Sequence, residues 1–339
     1  MTSHFISLEL TEKCNNSCKH CYNFWRANGR SSLDDKHKAL SRLEIQHLIR
    51  KVRKDIPLEY IALSGGEPLL RSDFPQIAND VVDAGLQLVI ITNGVLLDKN
   101  MLRQLPREVS FEITLLGHTA ELHDKLAGNK VFDRVVQNTS QIRRHGSRFT
   151  VVFVATKLNA LDVFRTAELG IALGATAFMY NRVNLSRPMR PYATDLMPPA
   201  KILEESLNYL QNAVKKYGVP AICSVPIPPC VVDISKFPQI NFGWCPRGGD
   251  KSYYTIGCTG LVRPCNHSSV ILGDLKSQGF AQIISSDKCR VFWQTVPVEC
   301  DRCEQPLRDR CQGGCTAASD EFFGSQRRID PICELSKHS

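Results

Sequence analysis

The sequence predicts a mixed α/β fold, a partial (β/α)6 TIM-like barrel followed by a small cysteine-rich domain. Up to Arg182 the chain alternates strand-like and helix-like segments, a pattern that favours a parallel sheet with helices on its outside. The 339 residues are enough for two domains, at about 150 residues per domain. Three of the 14 cysteines lie at positions 14, 18 and 21, and the other eleven lie between positions 223 and 333, so the second domain is the cysteine-rich one.

Six segments rich in Ile, Val, Leu and Phe are the predicted strands. They are Phe5–Thr11, Glu59–Ser64, Leu86–Thr92, Val109–Leu115, Phe149–Ala155 and Thr176–Arg182. Helix-length segments between and after these strands include 42–54, 130–145 and 160–174. A closed barrel of this kind has eight β/α units, so six units predict an open barrel.

The segment after the sixth strand predicts how the two domains are joined. A helix over about 199–217 is expected to end at Gly218, before Pro220, and the Pro-rich stretch 219–240 reads as a linker. The predicted domains are the barrel core, the bridging helix with its linker, and the cysteine-rich domain. Their boundaries are 1–198, 199–240 and 241–339.

Composition and charge exclude several classes of function. No run of about 18 apolar residues occurs, and the first segment carries Glu9, Glu12 and Lys13, so neither a membrane span nor a signal peptide is expected. We therefore expect a cytoplasmic protein. The net charge of +8 comes from scattered residues rather than a patch, which gives no support to nucleic-acid binding. In a reducing compartment, 14 cysteines favour metal or redox chemistry over disulfides.

The first cysteines form a compact motif directly after the first predicted strand. Cys14, Cys18 and Cys21 have C-x3-C-x2-C spacing. A [4Fe–4S] cluster held by three thiolates keeps one iron open for a ligand. A tetrahedral zinc ion would need a fourth protein ligand, and a zinc knuckle is the alternative interpretation.

Residues 8–22, LELTEKCNNSCKHCY, resemble the signature of the radical S-adenosylmethionine (SAM) superfamily. A second match, Ser64-Gly65-Gly66-Glu67-Pro68, ends the second predicted strand, where two glycines let the backbone approach a ligand closely. The resemblance implies that this GGEP loop holds the amino end of SAM. It also implies that His20, at a position the family usually fills with an aromatic residue, packs beside the adenine.

Weaker matches follow in chain order. Thr92 and Asn93 begin a T-N-G turn that resembles a turn near the SAM ribose in the family. Thr114 takes the place of a serine that the family uses on the SAM carboxylate, and a hydroxyl satisfied by the backbone is the alternative. Arg182, after the sixth strand, is a further candidate contact to the cofactor.

The C-terminal cysteines are too many for one metal site. They read Cys245, Cys258, Cys265, Cys300-x2-Cys303-x7-Cys311-x3-Cys315 and Cys333, with four residues between Gly260 and Cys265. We infer two metal centres from this number of thiolates. On ligand chemistry alone, two zinc ribbons are the alternative interpretation of these centres. The order resembles the SPASM domain, an auxiliary-cluster extension of radical SAM enzymes, although its usual x5 gap is x7 here.

The SPASM resemblance implies two auxiliary [4Fe–4S] clusters in addition to the one held by the N-terminal motif. The first auxiliary set would be Cys300, Cys303, Cys311 and Cys333. The second would be Cys245, Cys265 and Cys315, with Cys258 as the fourth ligand or an open iron in its place. Cys223, Cys230 and Cys289 lie outside the pattern, and we expect buried, inert thiols there, or one that donates a hydrogen atom to a substrate radical.

The activity implied is generation of a 5′-deoxyadenosyl radical for C–H activation, with an electron from a flavodoxin or ferredoxin type of reductant. The expected reaction is a crosslink, epimerisation or excision in a ribosomal peptide, which makes the protein a peptide maturase. A small-molecule substrate (a sugar, an aminoglycoside or nucleoside antibiotic intermediate, or a haem precursor) is the alternative. A zinc-stabilised binding protein is the non-enzymatic one.

Two details bear on the substrate. Cys14 lies so near the start that no leader-binding domain fits before it, so a separate leader-binding protein or direct recognition is expected. Asn266 follows Cys265 where the sulfatase-maturing branch has a catalytic Asp, which argues against Ser or Cys oxidation.

Overall fold

The computed structural model describes residues 5–25, 39–246 and 252–335. These residues form one 11-stranded sheet in the order β11-β10-β9-β1-β2-β3-β4-β5-β6-β7-β8. The strands are β1 Phe5–Glu9, β2 Tyr60–Ser64, β3 Gln87–Thr92, β4 Ser110–Thr114, β5 Arg148–Ala155, β6 Ala177–Arg182, β7 Ala221–Cys223, β8 Ile240–Phe242, β9 Tyr254–Ile256, β10 Leu261–Arg263 and β11 Gly273–Asp274.

The predicted fold class is confirmed. Strands β1 to β8 pair in parallel in chain order, and the six predicted strands are β1 to β6. The sheet is open: its outermost strands in the described residues are β8 and β11. Because parallel strands all end at one edge, the loops after β1, β2 and β3 meet there, which brings the cysteine motif, the GGEP loop and the T-N-G turn together.

Helices cover the outside of the sheet. They are α1 Arg42–Asp55, α2 Phe74–Asp83, α3 Lys99–Gln104, α4 Ala120–Ala127, α5 Phe132–Thr139, α6 Ile142–His145, α7 Val163–Ala172, α8 Ala193–Leu196, α9 Ala200–Tyr217, α10 Phe280–Ile284, α11 Asp287–Gln294, α12 Arg308–Cys311, α13 Thr316–Phe323 and α14 Pro331–Leu335. Helix α1 shows why they form: Ser41 and Glu44 make a capping box at its start, and Ile45, Leu48 and Val52 bury one face.

The segment expected to be a bridging helix and linker contributes to the sheet. Helix α9 ends at Gly218, whose φ of 68° places it in the left-handed region, as the sequence predicts. The Pro-rich stretch after it supplies β7, which pairs with β6, and leads into β8. Three-residue strands between prolines are too short to give a periodic signal. The domain boundaries themselves stay a prediction.

The C-terminal region is joined to the barrel along a seam, by which we mean the contacts of β1 and β6 with residues 252–335. Strand β9 pairs in parallel with β1, and the β9–β10–β11 meander extends the sheet beyond it. Two buried ion pairs cross the seam, Glu9 with Arg263 and Arg182 with Asp330. Among the helices of the described residues, none combines the length and apolar character that a membrane span needs.

Candidate active site

A cavity of about 520 Å³ lies inside the open barrel. Its floor and walls are inward-facing side chains of β2 to β7, and its rim includes the cysteine motif after β1. Most of the wall is apolar, with Val89, Ile91, Val152, Val154 and Ile222 among the lining residues. The volume falls in the usual range for small-molecule and cofactor sites, about 300–1,000 Å³.

The cysteine motif is fixed to its neighbours by hydrogen bonds, and all three of its cysteines line the cavity. The Ser17 amide donates to the Ala127 carbonyl (3.0 Å). The Asn129 side-chain amide donates to the Asn15 carbonyl (2.8 Å), and the Asn93 side-chain amide donates to Asn15 Oδ1 (2.7 Å). These contacts hold the motif against the T-N-G turn and the C-terminal end of helix α4.

The two glycines of the GGEP loop are required by a close approach of backbones. Gly65 has φ +137°, and a Cβ there would lie 2.4 Å from the Thr11 carbonyl oxygen. A Cβ on Gly66 would lie 2.3 Å from the Lys13 carbonyl oxygen. The Gly66 amide also donates to the Thr11 carbonyl (2.7 Å). The sequence predicted a close approach to a ligand; here the approach is to the segment just before Cys14, while both glycines also line the cavity.

Glu67 of the GGEP loop forms hydrogen bonds to the T-N-G turn. Its carboxylate accepts hydrogen bonds from Thr92 Oγ1 (2.7 Å), the Asn93 amide (2.9 Å) and the Leu69 amide (3.2 Å). Burial raises the pKa of Glu67 to about 7, although these hydrogen bonds lower it. Thr92 and Asn93 line the cavity, whereas Glu67 and Pro68 are not among its lining residues. The geometry thus makes Glu67 a positioning residue for the T-N-G turn.

His20 presents a neutral ring to the cavity. It is buried, and burial, with a smaller contribution from His123, lowers its pKa to about 4. Buried atoms on the cavity wall without a hydrogen-bond partner in the described structure include His20 Nδ1, Asn23 Oδ1 and His267 Nδ1. Such atoms recur around this cavity. Buried polar atoms are nearly always paired, so these three fit a site that a polar cofactor or substrate completes.

Strand β4 places two polar side chains in the cavity, Glu112 and Thr114. Thr114 is where the SAM resemblance expects a carboxylate contact. Glu112 was not predicted from the sequence, and burial raises its pKa to about 7. A charged residue at an inward position of a buried strand was the available signal.

Arg182 lines the cavity and is also part of the seam. Its Nε donates to the Pro226 carbonyl (2.7 Å), and its guanidinium forms a buried ion pair with Asp330. The Asp330 carboxylate also accepts from the Cys315 amide (2.9 Å). Arg182 therefore links the barrel to one of the C-terminal cysteines, a role that the sequence did not predict.

One group of C-terminal cysteines lies beside the cavity; we call it the inner group, and it comprises Cys245, Cys265 and Cys315. Burial raises the pKa of Cys265, and the nearby Cys315 and Cys245 thiols raise it further. The Asn184 side-chain amide, at the cavity wall, donates to Cys315 Sγ (3.6 Å). These contacts bring together three of the predicted ligands.

Cys258 lies in the turn between β9 and β10. Burial and the neighbouring Glu12 and Glu9 carboxylates raise its pKa to about 12. Strand β9 ends at Ile256 and pairs with β1, which places this turn beside the segment that carries Glu9 and Glu12. Its role as the fourth ligand of the inner group stays a prediction.

A further set of C-terminal cysteines forms what we call the outer group, which contains one cysteine that the sequence left out of the pattern. Its predicted members are Cys300, Cys303, Cys311 and Cys333. The pKa of Cys300 is raised to about 11, mainly by burial. The neighbouring Cys311, Cys303 and Cys230 thiols raise it further. Cys230 Sγ lies 3.9 Å from Cys333 Sγ. Cys230 is exposed rather than buried, so the expectation of a buried, inert thiol is wrong at this position.

The N-terminal cysteine motif, the inner group and the outer group all offer thiolate sulfur, which is the usual ligand of iron–sulfur clusters. In the part of the chain that the structure describes, no group of three or more His, Cys, Asp or Glu side chains is arranged to hold a single metal ion. Cys223 and Cys289 are buried, as expected for thiols outside the pattern.

Comparison with known proteins identifies the family. The model of the radical SAM superfamily matches residues 8–169, and the model of an iron–sulfur cluster-binding domain, SPASM, matches residues 245–312. The AdoMet-dependent heme synthase of Methanosarcina barkeri is 28% identical over 97% of this chain and 95% of its own length. The PqqA peptide cyclase of Ruegeria pomeroyi is 26% identical over 97% of this chain and 86% of its own length.

Among solved structures, Streptococcus suis SuiB bound to the precursor peptide SuiA superposes with a TM-score of 0.76 at 14% identity. The match covers 98% of this chain and 76% of that chain, and at this identity it supports the fold alone. The two family matches agree with the N-terminal cysteine motif, the GGEP loop and the C-terminal cysteine order. This chain therefore belongs to the radical SAM superfamily, as an enzyme of radical chemistry with a C-terminal SPASM domain and with [4Fe–4S] clusters and SAM as its cofactors.

Proposed function

We propose that this enzyme modifies a ribosomally made peptide at an unactivated C–H bond. The observation that carries the proposal is the charge of the cavity wall. Arg182 is the only Lys or Arg among the described lining residues, and Asp330 already neutralises it. The carboxyl of Glu112 is the only one in the described lining. A neutral to acidic, largely apolar cavity suits a peptide segment better than a substrate with several carboxylates.

The proposed cofactor site is the N-terminal edge of the cavity. Cys14, Cys18 and Cys21 would hold the SAM-binding cluster. Bound together, this cluster and SAM supply hydrogen-atom abstraction, and a flavodoxin or ferredoxin type of reductant provides the electron. The chain's own residues position the groups: the ring of His20 packs against an aromatic base, and Glu67 fixes the T-N-G turn.

We propose that each of the remaining predicted residues contacts a particular portion of SAM. Gly65 and Gly66 would offer backbone groups to its amino end, and Thr92 and Asn93 would approach its ribose. The Thr114 hydroxyl would donate to its carboxylate. Arg182 forms an ion pair with Asp330, so we propose that its main role is to hold the barrel wall in place. A contact between Arg182 and SAM would be secondary to that role.

The C-terminal cysteines would hold the two auxiliary clusters. We propose a cluster with three protein thiolates at the inner group and one with at least four at the outer group. The neighbours of Cys258 include the Glu12 and Glu9 carboxylates, and Cys230 lies beside Cys333 of the outer group, which supports this assignment. Iron content tests this assignment. Replacing Cys265 with Ala should remove about four of about twelve irons per chain, whereas replacing Cys258 with Ala should leave the iron content unchanged. Equal losses in the two variants would contradict it.

The activity test compares two substrate classes in anaerobic, reduced, iron-loaded enzyme. One probe is a set of synthetic peptide pools, and the other is iron coproporphyrin, a tetrapyrrole with four carboxylates. We expect peptides to stimulate formation of 5′-deoxyadenosine and to take up or lose mass, and the tetrapyrrole to have no effect. Stimulation by the tetrapyrrole alone would overturn the peptide proposal.

A haem precursor is the second candidate substrate, and one observation favours it. The M. barkeri heme synthase matches this chain nearly end to end, with higher identity than the peptide cyclase. At 28% identity, substrate is often not shared between relatives that use one fold. The same pair of probes decides between the two candidates.

A further inference from the structure

Glu112 stands in the middle of the barrel wall. Strand β4 alternates its side chains, so Glu112 and Thr114 face the cavity while Phe111 and Ile113 are buried on the other side. In the parallel register, Glu112 lies beside Ile91 of β3 and Thr150 of β5. The carboxyl is thus held on a rigid strand, one pleat below the position where the SAM carboxylate is expected.

No hydrogen bond or ion pair joins the half-buried Glu112 carboxyl to another described residue, which distinguishes it from the fully buried carboxylates Glu9, Glu67 and Asp330. Glu9 pairs with Arg263, and Asp330 pairs with Arg182. Glu67 accepts three hydrogen bonds. Burial is the only cause of the raised pKa of Glu112. A carboxyl that loses water contacts on a cavity wall, and gains no protein partner, is a candidate for pairing with a ligand group.

The surrounding groups indicate the charge of that ligand. Arg182 is the only Lys or Arg among the described residues that line the cavity. Arg182 is occupied by Asp330. The described cavity wall therefore offers one carboxyl group, that of Glu112, with no counter-ion. The complementary ligand group is a cation.

The amino group of SAM is not the expected partner in this arrangement, and its sulfonium has no N–H with which to donate to a carboxylate. The amino end of SAM is expected at the GGEP loop, above the ends of β1 and β2, and its carboxylate is expected at Thr114. Residues two apart on a strand lie about 6.5–7 Å apart along it, so a SAM carboxylate at Thr114 would repel Glu112 rather than pair with it. The cation is therefore supplied by the substrate.

We propose that Glu112 is a substrate-recognition residue that pairs with a basic nitrogen group, namely the amine or guanidinium of a Lys or Arg side chain of the peptide. This inference rests on the proposed peptide function. It narrows the substrate to a sequence with a basic residue at or next to the modified position. Charge pairing in a water-poor cavity favours such a residue over its uncharged isosteres.

The test uses iron-loaded enzyme and peptide pools that differ in one fixed central residue: Lys, Arg, norleucine, Gln or Glu. Formation of 5′-deoxyadenosine and the mass of the peptides are measured for wild type, Glu112→Gln, Glu112→Lys and the exposed control Glu121→Gln. We expect wild type and Glu121→Gln to prefer Lys or Arg pools, and Glu112→Gln to lose that preference by about tenfold or more. Glu112→Lys should prefer the Glu pool. Iron content and circular dichroism show whether each variant is folded and loaded.

Several outcomes separate the possibilities. If no pool of any composition stimulates the enzyme, the proposed peptide function fails. If pools stimulate but Lys and Arg are not preferred, or the preference survives in Glu112→Gln, the inference on Glu112 fails while the function stands. Weaker binding of labelled SAM by Glu112→Gln in equilibrium dialysis, at unchanged iron content, would assign the carboxylate to SAM and overturn the proposal. Stimulation by agmatine or n-butylamine, but by no peptide pool, would overturn the peptide substrate and show that the enzyme recognises a small amine instead.

Discussion

Buried charges occur in two regions of the molecule, the seam and the cavity, and their surroundings differ. In the seam, Glu9 pairs with Arg263 and Arg182 pairs with Asp330, each pair joining a barrel strand to the C-terminal region. In the cavity, Glu112 has no partner among the described residues. A buried carboxylate in the seam is thus a structural element, because removing its partner would leave a buried charge alone.

The two regions thus differ in what compensates for the loss of hydration of a charge. In the seam, an ion pair within the protein provides the compensation. In the cavity, we infer that a bound ligand provides it. Four substitutions test this comparison, and they follow from the largest expected effect to the smallest.

Replacement of Asp330 with Ala should have the largest effect. It leaves the Arg182 guanidinium buried without its counter-ion and the Cys315 amide without its acceptor, so the free energy of unfolding should fall by about 3–5 kcal/mol. Anaerobic chemical unfolding of the iron-loaded protein measures it. The control is Asp309→Ala, an exposed site where a change within about 0.5 kcal/mol is expected. A loss below about 1 kcal/mol for Asp330→Ala would contradict a structural role for the pair.

Replacement of Glu67 with Gln should cost about 1–3 kcal/mol of unfolding free energy. The amide keeps one acceptor oxygen but turns a donor towards hydrogen-bond donors, since both carboxylate oxygens of Glu67 now accept. The same unfolding measurement applies, with Glu121→Gln as the exposed control. An unchanged stability would show that the T-N-G turn does not depend on this carboxylate.

Replacement of Glu112 with Gln should stabilise the substrate-free protein at pH 8. The pKa of Glu112 is about 7 in the folded protein against 4.5 for an ordinary Glu, so the folded protein binds the proton more tightly and wild type loses stability as pH rises from about 4.5 to about 7. The shift corresponds to at most about 3 kcal/mol, and water in the cavity should reduce it to about 1–2 kcal/mol.

The pH dependence distinguishes this effect from a general change in packing. The advantage of Glu112→Gln over wild type should be small at pH 5, grow up to pH 7 and level off above it. Unfolding at pH 5, 6, 7 and 8 measures the difference. A destabilised variant at pH 8 would mean that Glu112 has a partner, and the contrast between the cavity and the seam would fail.

Replacement of Arg328 with Ala should have the smallest effect. Arg328 pairs with Glu299 and Glu334 near the outer group, but its side chain is 45% exposed and those of both carboxylates are 34% exposed. Exposed ion pairs contribute about 0–1 kcal/mol, and salt screens them. We expect a change below about 1 kcal/mol that disappears at high salt. A loss as large as that of Asp330→Ala would show that burial does not separate the two kinds of pair.

The sequence predicted the barrel well because its strands are long runs of apolar and β-branched residues. The structure shortens the first strand at Glu9, two residues before the predicted end, and keeps the order of all six. It adds β7 and β9, which have three residues each and lie near prolines or cysteines. Their pairing partners, β6 and β1, define them more than their own residues do.

Within the site, the motifs of local spacing were predictable and the tertiary neighbours were not. The sequence places Cys14, Gly65 and Thr92 near one another because all follow parallel strands. It gives no sign that Cys230 lies beside Cys333, 103 residues later, or that Cys258 lies near the Glu9 and Glu12 carboxylates. The lack of a partner for Glu112 depends on every strand around the cavity, which no local pattern contains.

The pairing of β1 with β9 also affects how the chain is made. Strand β1 has one neighbour, β2, early in the sequence, but its second neighbour begins at Tyr254, 190 residues after β2 ends at Ser64. At about 5–20 residues per second, a ribosome needs roughly 10–40 s to add that stretch. During this interval the apolar edge of β1 is unpaired and open to aggregation. Chaperone demand during synthesis, rather than the stability of the finished enzyme, should therefore limit the yield of this protein.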